Sequence, residues 1–156
     1  MKNNDILRRL RYTFDMGDDE MMRTFALAGK DVSRSLVSDW LKKDDHEEHV
    51  EMLDKDLAVF LNGMIIARRG MKDGEIPKPE KSLNNNQVFR KLKIALSMRD
   101  EDILEIFKLV KFDVGRHELS AIFRNPKQSQ YRKCKDQFLR NFLLGLQQKN
   151  KRDIVK

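Results

Sequence analysis

Residues 85–107, NNQVFRKLKIALSMRDEDILEIF, restate residues 3–25, NNDILRRLRYTFDMGDDEMMRTF, at a constant offset of 82. Asn3 and Asn4 meet Asn85 and Asn86, Arg8 meets Arg90, Leu10 meets Leu92, and Phe25 meets Phe107. The register continues without a gap. Asp31, Val32 and Arg34 meet Asp113, Val114 and Arg116, and Asp54, Leu57, Phe60, Leu61 and Gly63 meet Asp136, Leu139, Phe142, Leu143 and Gly145. Of 64 aligned positions, 17 are identical, which marks a tandem duplication of one structural unit. A unit of about 65 residues buries only about 60% of its unfolded surface and is marginal alone. The two copies are therefore expected to pack on each other with approximate two-fold pseudo-symmetry.

Apolar residues recur at three- and four-residue spacing and nowhere alternate with period two for long. The predicted class is all-α: a four- to five-helix unit, made twice. In copy one, helices are expected over 5–15, from Asp18 to about Ala28, over 34–43 and from Asp54. Asn4, Asp18 and Ser33 are the expected N-caps, and Gly17, Gly29 and Gly70 the stops. In copy two, helices are expected over 87–98, 101–110, 116–124 and 136–148. Asn125-Pro126 suggests a cap followed by proline, hence a short extra helix over 126–132.

Residues 71–83 contain Gly74, Pro77 and Pro79 and lack apolar periodicity, so they read as a linker. The organisation is then repeat one over 1–70, a linker over 71–83, repeat two over 84–148 and a basic tail over 149–156 expected to fray. The core is predicted to contain Leu10, Phe25, Trp40, Phe60 and Leu61, with Leu92, Phe107, Ile122, Phe142 and Leu143 as their mates. Gly63 and Gly145 fall inside the fourth helix of each copy, where glycine costs about 1 kcal/mol against alanine. Their recurrence predicts close approach of another helix.

The paired opening motif, the FLNG at residues 60–63 and the CKDQFLRNFLLGL at residues 134–146 resemble the YehS-like family, small bacterial proteins built from a duplicated helical domain of unknown function. The resemblance spans residue 3 to about residue 148. It implies a bacterial, cytoplasmic, all-helical protein and brings no catalytic or ligand-binding residue with it. The single cysteine, Cys134, rules out an internal disulfide and fits a reducing compartment. The opening residues contain no apolar core of a signal peptide, and no apolar run reaches 18 residues, so neither secretion nor membrane insertion is expected.

Candidate chemistry is sparse. Phosphate-binding loops, dinucleotide fingerprints, nucleophile elbows and paired Cys/His sets are absent, so neither enzymatic activity nor a cofactor is expected. His46 and His49 lie among Asp44, Asp45, Glu47 and Glu48, but copy two has no such ligands, and a solvated acidic loop is the expected reading. Cys134 is flanked by Arg132, Lys133 and Lys135, which would favour a thiolate. Its mate is Met52, which points instead to a small buried hydrophobe. The second and third helices suggest comparison with a DNA-reading helix-turn-helix, but Leu27 and Leu109 stand where a small residue is needed.

Charge is divided unevenly. Net charge is +7, yet residues 1–82 carry 15 basic against 17 acidic residues, and residues 83–156 carry 17 against 8. Residues 44–56 hold seven acids and one lysine, whereas their mates over 126–138 hold four bases and one acid. Opposite surfaces of this kind can meet within the chain, join molecules head to tail, or leave the basic one free for a polyanion. The candidate nucleic-acid residues are Arg90, Lys91 and Lys93 in the first helix of copy two, Lys127, Tyr131, Arg132, Lys133 and Lys135 before its last helix, and Lys149, Lys151 and Arg152 in the tail. Cations with an aromatic among them suit phosphate contact plus base stacking, with little sequence preference. The alternative function is a protein-interaction or self-association module.

Overall fold

The computed structural model describes the backbone of residues 1–155 and the side chains through Lys151. The chain divides into two units, the first Met1–Leu83 and the second beginning at Asn84. Unit one holds α1 (Asn3–Thr13), α2 (Asp18–Leu27), α3 (Arg34–Leu41) and α4 (Asp54–Arg69). Unit two repeats them as α5 (Asn85–Ala95), α6 (Asp100–Leu109), α7 (Arg116–Ile122) and α8 (Asp136–Val155). Among the described residues there is no strand, as the spacing of apolar residues requires.

In each unit the fourth helix is the spine, packed against the second. Phe25 is fully buried, with its ring 5.3 Å from Trp40 and 5.1 Å from Phe60. In unit two, Phe89 stacks on Phe142 at 4.6 Å, and Phe107 meets Phe138 edge-on at 4.7 Å. All ten predicted core residues are buried, none more than 2% exposed. Each such side chain contributes about 1.5–3 kcal/mol through removal from water.

The spine can lie this close because its crossing point carries no side chain. A Cβ on Gly63 would sit 1.9 Å from the Thr24 carbonyl oxygen, and one on Gly145 would sit 2.6 Å from the Ile106 carbonyl oxygen. Thr24 and Ile106 are themselves mates at the 82-residue offset, so both crossings use one geometry.

The first helices close with left-handed residues that sequence inspection places two positions late. Asp15 and Ser97 adopt φ of 50° and 52°, while Gly17 has an ordinary φ of −77° and serves as the N-cap of α2. The Met16 and Met98 N–H groups then reach back to the Arg11 and Lys93 carbonyls at 3.0 Å, completing a Schellman stop. The same stop ends α2 at Gly29, φ 88°, and α6 at Lys111, φ 55°. It delivers Lys30 in one copy and Phe112 in the other to the same place, each N–H bonded to the carbonyl of Phe25 or Phe107.

Several expected boundaries are corrected. The first helix begins at Asn3, with Lys2 in the cap position, so Asn4 is not a cap. Asp18 lies inside α2 rather than before it. Ser33 is a true cap, accepting from the Leu36 N–H at 3.0 Å. Residues 126–132 form turns instead of a helix, because the Asn125 side chain accepts from the Lys127 N–H in a local turn. Helix α8 runs from Asp136 to Val155, past the expected end at residue 148. Residues 71–83 contain only a 3-10 turn at Lys72–Gly74, and the Leu83 N–H donates to Asp54 at 2.9 Å.

Candidate nucleic-acid interface

Four of the ten candidate basic residues, Lys127, Arg132, Lys133 and Lys135, lie on the loop between α7 and α8, so the first question is what holds that loop. The answer is the asparagine motif. Asn86 donates through Nδ2 to the Ile122 carbonyl at 3.0 Å and the Arg132 carbonyl at 2.9 Å, and its Oδ1 accepts from the Cys134 N–H at 2.8 Å. Asn4 repeats this on Trp40, Val50 and Met52 at 2.8, 2.9 and 2.9 Å. One buried amide thus uses both donor protons and its oxygen to tie the end of the third helix to the returning loop. Beside it, Asn85 donates to the Cys134 carbonyl and to Asp136, as Asn3 does to Met52 and Asp54. These shared polar residues are architectural.

Arg90 belongs to the same framework. Its guanidinium donates to the Phe123 carbonyl at the open end of α7, as Arg8 caps the Leu41 and Lys42 carbonyls at 3.2 Å. Lys93 pairs with Asp100 at 3.2 Å and lies 4.3 Å from the centre of the Phe123 ring. Lys91, Lys149 and Lys151 already interact with other groups. The side chain of Arg152 lies outside the described residues. Arg132 pairs with Glu118 at 2.7 Å, and Tyr131 is partly buried in the loop. Lys127, Lys133 and Lys135 are exposed and have no acidic partner among the described residues.

Two clefts flank α7. One, about 220 Å³, has Ile122, Phe112 and Phe138 as its apolar lining and Arg132, Lys133 and Lys135 along its rim. The other is more open, about 590 Å³, and takes in Arg90, Lys93, Arg124 and Phe123. Loop residues 125–133 contribute to both, so the structure brings the two basic clusters of unit two onto neighbouring surfaces. The aromatic residues of the smaller cleft escape sequence inspection because they read as ordinary core. The signal was nevertheless present at the offset: Phe112 and Phe138 stand where copy one has Lys30 and Asp56. In unit one those two side chains form an ion pair at 2.6 Å, and in unit two the rings meet edge-on at 5.9 Å. A charged pair in one copy is an aromatic pair in the other.

The acidic counterpart is largely engaged at home. Lys2 pairs with Asp44 at 3.0 Å and Glu51 at 3.5 Å, Lys42 with Glu48 at 2.6 Å, and Lys30 with Asp56. A hydrogen bond from Lys2 holds the Asp44 carboxyl below its usual range, and one from Lys42 does the same for Glu48. The two histidines are also committed locally. His46 Nδ1 accepts from the Glu48 N–H at 3.1 Å, and His49 Nδ1 lies 2.9 Å from the Lys42 carbonyl. No cluster of metal-ligating side chains is found among the described residues.

Cys134 is 2% exposed, and burial, with the Asp136 carboxylate adding to it, pushes its thiol up to about 12. It remains a thiol at neutral pH, packed as Met52 is in unit one. The α2–α3 connection runs over residues 28–33, longer than the three or four residues of a helix-turn-helix turn. Arg34 at the start of α3 is held by Asp18 and Asp19, and Arg116 at the start of α7 by Glu101.

The family model described as "Protein of unknown function (DUF1456)" matches residues 3–70 and again residues 85–152, the two structural units. The uncharacterized protein YehS of Escherichia coli (strain K12) is 40% identical over 148 residues, covering 94% of this chain and 94% of that protein. No solved structure matches. No helix among the described residues is long and apolar enough to cross a membrane.

Proposed function

The chain belongs to the DUF1456 family of proteins of unknown function, and we propose that it is a non-enzymatic binding protein whose second unit binds nucleic acid chiefly through phosphates. The observation that carries this reading is that Lys127, Lys133 and Lys135 are exposed with no acidic partner among the described residues, on a loop whose ends the Asn86 clamp ties at Ile122, Arg132 and Cys134. Lysines carried on a backbone already tied down can contact phosphates with less entropy lost in ordering the segment. The competing reading, self-association through opposite charges, draws on a surface already partly matched within unit one. Asp44 and Glu51 share Lys2, Glu48 pairs with Lys42 and Asp56 with Lys30, which reduces but does not cancel the negative charge over residues 44–56.

Electrophoretic retardation of a single-stranded oligonucleotide at low salt tests the proposal. Three phosphate contacts give a slope of log K against log salt of about −2 for a single strand. The Lys127→Glu/Lys133→Glu/Lys135→Glu variant loses binding while keeping its helical circular dichroism. Arg132 is left in place because its removal would strand Glu118. Absence of retardation for the wild type, together with salt-sensitive self-association that the same variant abolishes, would refute the proposal in favour of the interaction module.

A further inference from the structure

The smaller cleft of unit two has a composition that phosphate binding alone does not need. Its apolar side is made by Phe112, turned inward by the left-handed Lys111, together with Ile122 and Phe138. Phe138 is anchored edge-on against Phe107 at 4.7 Å, so this ring is fixed from behind. Phe112 is only partly buried and packs on both Phe107 and Phe138, at 5.6 and 5.9 Å. At the mouth stand Lys133 and Lys135, both exposed, the Gln137 amide, which carries a donor and an acceptor, and the Glu118 carboxylate, whose charge is matched by Arg132 at 2.7 Å.

The volume narrows the occupant. Drug-sized ligands occupy pockets of about 300–1,000 Å³. A cleft of about 220 Å³ holds one ring system and leaves any charged group attached to it outside, at the lysines. The first copy is a built-in comparison. At the equivalent positions it has Trp40 for Ile122, the Lys30–Asp56 ion pair for the two phenylalanines, and Glu51 and Leu53 for Lys133 and Lys135. Phenylalanine wall and cationic mouth occur together in unit two, and unit one has neither.

We propose that this cleft accepts one unpaired base of a single strand, stacked against Phe112, with the flanking phosphates on Lys133 and Lys135. The proposal rests on the nucleic-acid reading above and makes it specific: the ligand is single-stranded, because a paired base cannot leave its stack without added cost. Base–aromatic stacking is worth about 1–3 kcal/mol per base, equivalent to roughly 5- to 150-fold in affinity.

The test uses the full chain and three probes: an oligothymidine strand, a strand of equal length made of abasic sites, and a duplex of equal length. The expected result is that oligothymidine binds at least about fivefold more tightly than the abasic strand, and more tightly than the duplex. Phe112→Leu, which keeps an apolar side chain and removes the ring, erases the preference for bases while leaving abasic-strand affinity unchanged. Lys133→Ala/Lys135→Ala weakens both strands equally. Equal affinity of the wild type for oligothymidine and the abasic strand would overturn the base site and leave phosphate binding standing. No binding to any of the three would overturn both, and resonance shifts at Phe112 and Phe138 on adding benzoate would then assign the cleft to a small aromatic anion.

Discussion

Replacing Asn4 by alanine tests whether the paired asparagines are clamps. Asn4 is 2% exposed and makes three hydrogen bonds of 2.8–2.9 Å to the main chain of Trp40, Val50 and Met52. A net value of about 1 kcal/mol for each bond gives a loss of about 3 kcal/mol. Water entering the vacated space would lower that figure, and main-chain groups left without any partner would raise it. Trp40 is the only tryptophan and its carbonyl is one of the three acceptors, so its fluorescence during urea denaturation reports on the clamped unit. With a denaturant slope of about 1–3 kcal/mol per molar, the midpoint falls by roughly 1–3 M. Asn4→Asp is a stricter probe. It keeps the acceptor but turns a buried carboxylate towards two carbonyl oxygens, which raises the pKa of that aspartate in the folded state above its unfolded value of about 3.9. The folded state then binds the proton more tightly, so the deficit against wild type grows as pH rises from about 3.9 through the folded pKa, and is smallest below it. A shift of less than about 0.5 M for Asn4→Ala, or a pH-independent deficit for Asn4→Asp, would refute the clamp.

Other consequences follow from the same packing. Gly63→Ala and Gly145→Ala both force the helix crossing apart and lower the melting temperature, Gly63→Ala more, because its Cβ would sit 1.9 Å from a carbonyl oxygen rather than 2.6 Å. Lys30→Phe or Asp56→Phe alone is destabilising, whereas the double substitution recovers part of the loss; a double-mutant cycle by chemical denaturation measures a coupling of about 0.5–3 kcal/mol. Cys134 reacts with Ellman's reagent at pH 8 only after denaturant is added, because burial holds its pKa at about 12. The lowered carboxyls of Asp44 and Glu48 contribute stability above their unfolded pKa values that is lost as pH falls through the folded ones. An acid titration followed by circular dichroism therefore shows a later onset of unfolding in wild type than in Lys2→Ala/Lys42→Ala.

The parts of this molecule that were legible in its sequence are those decided by local spacing or by comparison of the copies. Phe25 with Phe107 and Phe60 with Phe142 marked the core, and Gly63 with Gly145 marked the crossing. Asn4 was misread as a helix cap because a cap is a local event, while its partners lie 36 to 48 residues away. Arg90 and Lys93 looked available as cations, but their engagement with Phe123 and Asp100 depends on where α7 and α6 come to lie. Lys133 and Lys135 were visible as charge. The cleft behind them was not, because Phe112 and Phe138 reveal their role only when set against the Lys30–Asp56 pair.

The clamp also has a bearing on how the chain is made. Asn4 and Asn86 present the same amide to the same kind of loop, so before either unit closes, each could engage the other's loop. Misassembly between similar neighbours is a characteristic failure of repeat proteins. Synthesis from the N-terminus separates the two in time. Asn4 finds its last partner once Met52 has emerged, whereas Cys134, the corresponding partner of Asn86, follows 82 residues later. At about 5–20 residues per second, that interval is roughly 4–16 s. Small helical units close within milliseconds. To the extent that unit one closes by itself, its amide is occupied before the rival loop exists, and translation order then favours correct pairing in both copies.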